Sequence, residues 1–231
     1  MKIMTFNTQH CLNYIERKID FDIMAKAIID LDADIVGLNE MRGKGAHPDF
    51  EAQVENLASL TGMKYYYFAP AINLEQGPYG NGFLSKIPIL KAETVMIPDP
   101  EPKRYNGYYE TRCVLKVLLE GGVTVLVTHM GLNSDEQENA VRTVMENLAD
   151  EKCILMGDFN MTPDEPTLAP IFNGMTDTAI AFDSKKLSFP SDAPDRKIDY
   201  IFVSDDVKVL SADIPAVVAS DHRPCVAEIE F

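Results

Sequence analysis

The sequence CILMGDFNMTP, residues 153–163, joins an apolar run directly to a polar turn. Its first four residues, 153–156, are all apolar and predict a short buried strand. A glycine and a proline bracket the turn, so Asp158 and Asn160 are expected where the strand ends. Strand alternation places these two side chains on one face and Phe159 on the other. Such a pair is able to hold a water molecule beside a substrate oxygen, and a turn that bonds its own backbone explains it equally well.

The same arrangement, an apolar run that ends in a polar side chain, recurs along the chain. The residues in these positions are Asn7, Glu40, His129 and Asp199, and Ser220-Asp221-His222 precedes the last apolar run. Taken singly, each is better explained as an ordinary turn, surface or core residue. Taken together, they predict a polar cluster at one rim of a sheet core, where binding and catalytic sites are commonly built.

The composition provides enough apolar residues for one large core. Of the 231 residues, 46% are apolar, and the length favours a single domain, residues 1–231, over two. No run of 18 apolar residues occurs, so no membrane span is expected. The N-terminus lacks a signal-peptide layout, and the four cysteines are too scattered for a zinc site. We therefore expect a cytoplasmic protein with reduced thiols, of an oligomeric state that the sequence does not define.

The net charge of −15 limits which partners the chain attracts. An acidic surface opposes long-range attraction to nucleic acid and to anionic membranes. An anionic substrate is still compatible with this charge, because a bound divalent cation reverses the sign of the field locally. Clustered carboxylates are then the expected lining of the site.

Short apolar strands dominate the chain, and amphipathic helices lie between some of them. Four helices are predicted, over residues 21–31, 50–60, 134–150 and 167–172. Three polar loops are predicted, over residues 70–80, 99–109 and 183–197. A capping box of Ser134 and Gln137 is expected to open the third helix. Because hairpin signals argue against an all-parallel sheet, the pattern predicts an α/β fold of two stacked mixed β-sheets flanked by helices.

Seven segments, in chain order, resemble the motif set of the endonuclease/exonuclease/phosphatase superfamily. They are MTFN (4–7), GLNEM (37–41), YGNG (79–82), TH (128–129), GDFN (157–160), IDY (198–200) and SDHRP (220–224). GDFN and SDHRP are the most specific, and the resemblance extends over essentially the whole chain. It implies a four-layer α/β sandwich. It also implies a hydrolase that uses a divalent cation, usually Mg²⁺ with Mn²⁺ as the alternative, to cleave phosphate esters.

The resemblance assigns roles to residues near the expected cation and the attacking water. Glu40 is implied as the principal metal ligand, with Asn7 beside it and Asp221 as a further ligand, directly or through water. Asp158 would orient or deprotonate the water, and Asn160 would hold that water or a phosphate oxygen. In-line attack by this water would then cleave the ester.

The resemblance assigns the histidines and their polar neighbours to the phosphate and the leaving group. His222 is implied to pair with Asp199, which would fix its tautomer and stabilise its charged ring. His129 is implied near the leaving-group oxygen, as in the deoxyribonuclease and sphingomyelinase branches and unlike apurinic endonucleases, which carry Tyr there. The substrate phosphate is assigned to Arg112, Asn81 and His10. An ordinary surface arginine and simple loop packing stay open as explanations of Arg112 and His10.

The sequence limits the substrate class less sharply. The chain has 21 lysines and arginines against 36 acidic residues, without a basic cluster suited to a nucleic-acid backbone. Residues 105–109 include three tyrosines, which suit a small or lipid-like head group or a stacked base. The expected function is hydrolysis of a small or lipid-like phosphodiester or phosphomonoester. A magnesium-dependent nuclease is the alternative, and a non-catalytic binding module on the same fold is a weaker one.

Overall fold

Two six-stranded mixed β-sheets stack face to face, with helices outside them, in the computed structural model. The structure describes residues 1–181 and 185–231. The strands are β1 (Lys2–Asn7), β2 (Ile35–Arg42), β3 (Tyr65–Asn73), β4 (Pro78–Ser85), β5 (Ile89–Met96), β6 (Cys113–Leu119), β7 (Thr124–His129), β8 (Cys153–Asp158), β9 (Thr176–Asp177), β10 (Asp199–Val203), β11 (Lys208–Asp213) and β12 (Cys225–Glu230). The helices are α1 (Phe21–Leu31), α2 (Gln53–Thr61), α3 (Ser134–Asn147), α4 (Ala169–Gly174) and α5 (Thr178–Ala181). The predicted fold class is confirmed.

Strand order brings the ends of several strands to one edge of the stack. The first sheet has the order β11-β12-β1-β2-β4-β3, and the second has β5-β6-β7-β8-β10-β9. β7 and β8 are parallel and end together, and antiparallel β10 begins where β8 ends. A hydrogen bond from Asn7, at the end of β1, to Asp158, at the end of β8, places the edge of the first sheet beside that of the second.

Strand alternation divides the apolar residues among three layers of core. The layer between the sheets includes Ile35, Phe83 and Met156. The opposite face of the first sheet, with Leu38, packs against α1 and α2, and that of the second, with Phe202, packs against α3 and α4. Each such side chain is fully buried and stabilises the fold by about 1.5–3 kcal/mol relative to exposure. Four packed layers hold the strand ends in place.

The four predicted helices exist, with differences at their ends, and the short helix α5 was not predicted. The capping box of α3 is formed by Asn133 and Glu136 rather than by Ser134 and Gln137, because Glu136 Oε2 accepts the Asn133 backbone N–H at 3.2 Å. α3 ends at Asn147, short of its predicted end, and α2 and α4 begin later than predicted. Within residues 1–181 and 185–231, none of the helices is long and apolar enough to cross a membrane.

One predicted loop is mostly strand. The stretch 70–80 belongs largely to a hairpin, because β3 and β4 remain paired as far as Asn73 and Pro78. The pairing continues to the exposed end of the sheet, where polar side chains cost little. The stretch 99–109 is a loop, as predicted. The predicted loop 183–197 begins at positions that lie outside the described residues, and its described part contains one isolated bridge, between Phe189 and Arg196.

Two glycines permit close approaches of the backbone beneath the polar edge. A Cβ atom at Gly37 would overlap the Met156 side chain of the opposite sheet. Gly157 has φ +144°, and a Cβ atom there would overlap the Thr128 carbonyl oxygen on β7. Glycine at these positions therefore lets the two sheets, and the adjacent strands β7 and β8, lie close together.

Candidate active site

Asp158, the last residue of β8, is buried at the centre of the polar edge. Its Oδ2 accepts a hydrogen bond from Asn7 Nδ2 at 3.0 Å. The same oxygen lies 3.5 Å from His129 Nε2 and 3.6 Å from His222 Nε2. Burial raises the pKa of Asp158 to about 7, although the positive charge of His222 opposes the rise. A carboxyl group with a pKa near neutrality, approached by two imidazoles, is suited to proton transfer.

His222 is paired with Asp199, as the resemblance implied. Its Nδ1 lies 2.9 Å from Asp199 Oδ2, and both side chains are buried. Burial favours the neutral ring, but the carboxylates of Asp199 and Asp158 outweigh it and raise the pKa of His222 to about 10. The Phe189 ring packs against the imidazole, with 4.7 Å between ring centroids. His222 is therefore held as a cation, with Nε2 directed toward Asp158.

Glu40 provides a carboxylate that stays ionised within β2. It lies inside the register shift between Leu38 and Met41 in the pairing of β2 with β4, rather than at the predicted strand end, and has φ +60°, in the left-handed region. Its Oε1 accepts the Asn7 amide at 3.1 Å, and its Oε2 lies 3.8 Å from His10 Nδ1. Burial alone would raise the pKa of Glu40, but His10, His129 and Asn7 outweigh it and lower the pKa to about 2.

The donor set around Glu40 fits a hard divalent cation. Asp221 belongs to the same neighbourhood: burial raises its pKa, and the negative charge of Glu40 contributes to the rise. Two carboxylates that repel each other and offer oxygen ligands are the chemistry that Mg²⁺ and Mn²⁺ select. Asp158, Asp199 and His222 also place ligand atoms within 4.8 Å of one another. In this second cluster, however, His222 Nδ1 is already paired with Asp199. We therefore interpret these three residues as a hydrogen-bonded group rather than as the cation site.

Asn7 connects the two carboxylates rather than turning its oxygen toward them. Its Nδ2 donates to both Glu40 and Asp158, while its Oδ1 accepts the backbone N–H of Gln9 at 3.0 Å. Reversing the amide would set its oxygen against two carboxylate oxygens and its NH₂ group against the Gln9 N–H, so this orientation follows from the hydrogen bonds. Asn7 thus positions Glu40 and Asp158, and its assignment as a metal ligand stays a prediction.

Asn160 lies just beyond the strand, with φ +50°. Its backbone N–H donates to Asp158 Oδ1 at 2.9 Å, which is the self-bonded turn considered from the sequence. Its side-chain Nδ2 donates to the Met130 carbonyl at 2.9 Å. The turn and a site role are therefore not exclusive, and contact of Asn160 with water or phosphate stays a prediction.

Arg112 points inward beside His129 rather than into solvent, and its contact with phosphate stays a prediction. Its side chain is 12% exposed and lies 2.7 Å from Glu110 Oε1. The terminal nitrogen that makes this contact, Nη1, also lies 2.8 Å from His129 Nδ1. Burial and the charge of Arg112 lower the pKa of His129 well below its usual value. Within the described part of the chain, the buried Arg112 Nε has no hydrogen-bond partner.

The two other residues assigned to phosphate binding differ in their freedom to act. Asn81 is buried, and its amide is occupied: Oδ1 accepts from Asn39 at 2.9 Å and Nδ2 donates to the Cys113 carbonyl at 2.9 Å. His10 is partly exposed beside Glu40. A phosphate contact by either residue stays a prediction, and the geometry favours His10.

Asn39 lies within the polar edge, although no role for it was predicted from the sequence. Its Nδ2 donates to Asn81 Oδ1 and to the Thr128 carbonyl, and its Oδ1 accepts the Asp158 backbone N–H at 3.0 Å. One buried amide thus ties β2 of the first sheet to β7 and β8 of the second. The available signal was a polar residue inside an otherwise apolar strand, where a buried amide needs partners.

The family model described as the endonuclease/exonuclease/phosphatase family matches residues 4–222, and the chain belongs to this family. Its members are hydrolases that act on phosphate esters and generally use a divalent metal. A comparison with curated proteins found no match.

Solved structures share the fold at low sequence identity. An endonuclease/exonuclease/phosphatase from Beutenbergia cavernae is 21% identical with a TM-score of 0.78, covering all of this chain and 71% of the other. A mannosyl-6-phosphatase from Bacteroides thetaiotaomicron is 16% identical with a TM-score of 0.76, covering all of both chains. The human Nocturnin catalytic domain, with bound sulfate, is 17% identical with a TM-score of 0.71, covering all of this chain and 94% of the other. At these identities the likeness shows the fold alone.

Proposed function

We propose that this chain hydrolyses a small or lipid-like phosphate ester by in-line attack of an activated water, with Mg²⁺ or Mn²⁺ as cofactor. The supporting observation is the convergence on Asp158 of the His222–Asp199 pair, His129 and the Asn7 amide. A base, a cation and hydrogen-bond donors around one point are the groups that phosphoryl transfer needs.

Asp158 is proposed as the base that accepts the proton of the attacking water. Its pKa of about 7 is matched to this task near neutral pH. The Asn7 amide and the Asn160 backbone N–H hold its two oxygens, so the carboxylate has one fixed orientation. Asn160 is proposed to hold the water or a phosphate oxygen through its side chain.

His222 and Arg112 are proposed to stabilise negative charge on the phosphoryl oxygens. His222 keeps its proton because Asp199 and Asp158 raise its pKa, and its Nε2 is the group left to donate. Arg112 has a buried Nε–H without a partner in the described chain, and a phosphate oxygen would satisfy it. Preorganised donors of this kind are worth several kcal/mol in a transition state.

Glu40 and Asp221 are proposed to hold the cation, with Asn7 beside them. When bound, it would neutralise phosphate charge and lower the pKa of a coordinated water. The fit rests on the oxygen chemistry and mutual repulsion of the two carboxylates.

The basic side chains near the site loops are paired with acidic ones, which favours a small substrate over long nucleic acid. Arg104 lies 2.6 Å from Glu138, and Arg196 lies 2.7 Å from Asp195. Such neutralised arginines add little to the attraction of a polyanion, and the chain carries −15 overall. The exposed Tyr105 and Tyr108 side chains offer aromatic surface instead.

The test is a substrate panel assayed with Mg²⁺ and with Mn²⁺. The panel holds p-nitrophenyl phosphate, bis(p-nitrophenyl) phosphate, mannose 6-phosphate and supercoiled plasmid, and the control is Asp158→Ala. Hydrolysis of a small ester that is lost in Asp158→Ala supports the proposal. Plasmid nicking at enzyme levels below substrate, without small-ester turnover, would replace it with the nuclease. No cleavage of any member would favour the binding module.

A further inference from the structure

Three side chains, Glu110, Arg112 and His129, form a row leading into the site, in which His129 is buried and the other two are partly exposed. Arg112 is 12% exposed and Glu110 is 15% exposed, and their charged groups lie 2.7 Å apart. The two groups meet off the line of the N–H bond, so the contact is an ion pair rather than an aligned hydrogen bond. The same guanidinium nitrogen, Nη1, lies 2.8 Å from His129 Nδ1. No motif in the sequence marks Glu110.

This contact determines where the proton of His129 lies. A guanidinium carries only donors and stays charged in proteins, so His129 Nδ1 must accept. The neutral ring then carries its proton on Nε2, which lies 3.5 Å from Asp158 Oδ2. A second proton on Nδ1 would set an N–H against the guanidinium. The tautomer is therefore fixed from the side remote from the reacting atoms.

The segment that carries Glu110 and Arg112 is anchored to the start of α3. The Glu110 backbone N–H donates to Glu136 Oε1 at 3.2 Å. The Tyr109 hydroxyl donates to Asp135 Oδ2 at 2.9 Å, and Asn133 Nδ2 donates to the Tyr108 carbonyl at 2.8 Å. Because these contacts fix the backbone on the N-terminal side of Arg112, the guanidinium is delivered to His129 in one position.

We propose that Glu110 is a positioning residue that acts through Arg112 to hold His129 as a neutral ring with its proton on Nε2. In the proposed reaction, on which this part rests, that N–H donates a hydrogen bond to the leaving-group oxygen. Without Glu110 the guanidinium of Arg112 loses its counter-charge in a largely desolvated place, and its position against His129 is no longer held. His129 then exchanges between tautomers, and Nε2 is a donor for only part of the time.

The test observes the tautomer directly, in metal-free protein labelled with ¹⁵N at histidine. Wild type should show the His129 signals of a neutral ring protonated on Nε2. Glu110→Ala and Arg112→Met should move those signals toward mixed tautomers. The matched control is Glu138→Ala, which removes the partner of Arg104 in the same region without touching Arg112, and it should leave them unchanged.

Kinetics with an active ester distinguish positioning from a structural role. Glu110→Ala should lower kcat by roughly 10- to 100-fold with KM within about twofold, and Glu110→Gln, which keeps an acceptor oxygen, should recover part of the loss. A wild-type His129 that is protonated on Nδ1, or a tautomer unchanged in a folded Glu110→Ala, overturns the proposal. The wild-type spectrum alone tests the predicted tautomer, even where a variant does not fold. The spectrum needs no turnover. A chain that cleaves no ester would therefore refute the proposed function and leave the result on the His129 tautomer intact.

Discussion

Asp199→Asn removes the charge that holds His222 as a cation while keeping the shape of the side chain. Asp199 Oδ2 lies 2.9 Å from His222 Nδ1, and both groups are buried, so solvent screens the pair little. The rise of the His222 pKa from 6.5 to about 10 corresponds to roughly 5 kcal/mol of preference for the charged ring. Asp199 and Asp158 share this preference. An equal share gives Asp199 about 2–3 kcal/mol.

The expected result is a fall in kcat of about 100-fold for Asp199→Asn, with KM little changed, because the lost interaction acts on developing charge. An amide that donates to Nδ1 would leave the ring proton on Nε2, so the loss measures the missing positive charge rather than a missing hydrogen-bond donor. The assay is steady-state hydrolysis of the best ester from the panel at saturating Mg²⁺, with thermal unfolding to show that the variant is folded. A folded Asp199→Asn enzyme within about threefold of wild-type kcat would refute the role of the charged ring.

Further predictions concern the support of the site. Asn39→Ala should lower the free energy of unfolding by about 2–4 kcal/mol, measured by urea denaturation, because three buried hydrogen bonds lose a partner; unchanged stability would contradict the link between the sheets. Gly157→Ala should cost more than about 3 kcal/mol through its φ of +144° and backbone overlap, whereas Gly174→Ala, which meets only an ordinary contact, should stay within about 1 kcal/mol. In chelator, the contribution of His222 to the free energy of unfolding is fully present below pH 6.5 and is lost as pH rises through about 10, since folding raises its pKa. The difference in melting temperature between wild type and His222→Gln should therefore shrink across that interval, and a constant difference would contradict the raised pKa.

The fold could be predicted because local patterns and global architecture agree. Apolar runs such as residues 153–156 are buried strands, and the position of α1 after Asp20 follows from a side chain that accepts the Ile23 N–H at 3.1 Å. The strand-end rule also placed Asp158, His129 and their partners at one edge. Each of these features depends on residues close together in the chain or on simple alternation.

The rest depended on contacts that sequence spacing does not encode. Asn39 bonds Thr128 and Asp158 across the space between the sheets, and only the stacking of two separate sheets creates that meeting. Glu110 gained its role because Arg112 turned inward, whereas a loop arginine is usually solvated. The α3 cap moved by one residue because Asn133 and Glu136 form a competing box of nearly the same sequence signature.

The dependence of hydrolysis on a divalent cation held by Glu40 is the most direct measurement. Wild type, Glu40→Gln and the exposed control Glu228→Gln would be stripped with EDTA and assayed with the active ester during titration with MgCl₂. We predict no turnover in EDTA, full recovery with Mg²⁺ for wild type and control, and less than about 1% recovery for Glu40→Gln. Turnover that persists in EDTA, or a Glu40→Gln enzyme that responds to Mg²⁺ as wild type does, would contradict metal-dependent hydrolysis at this site.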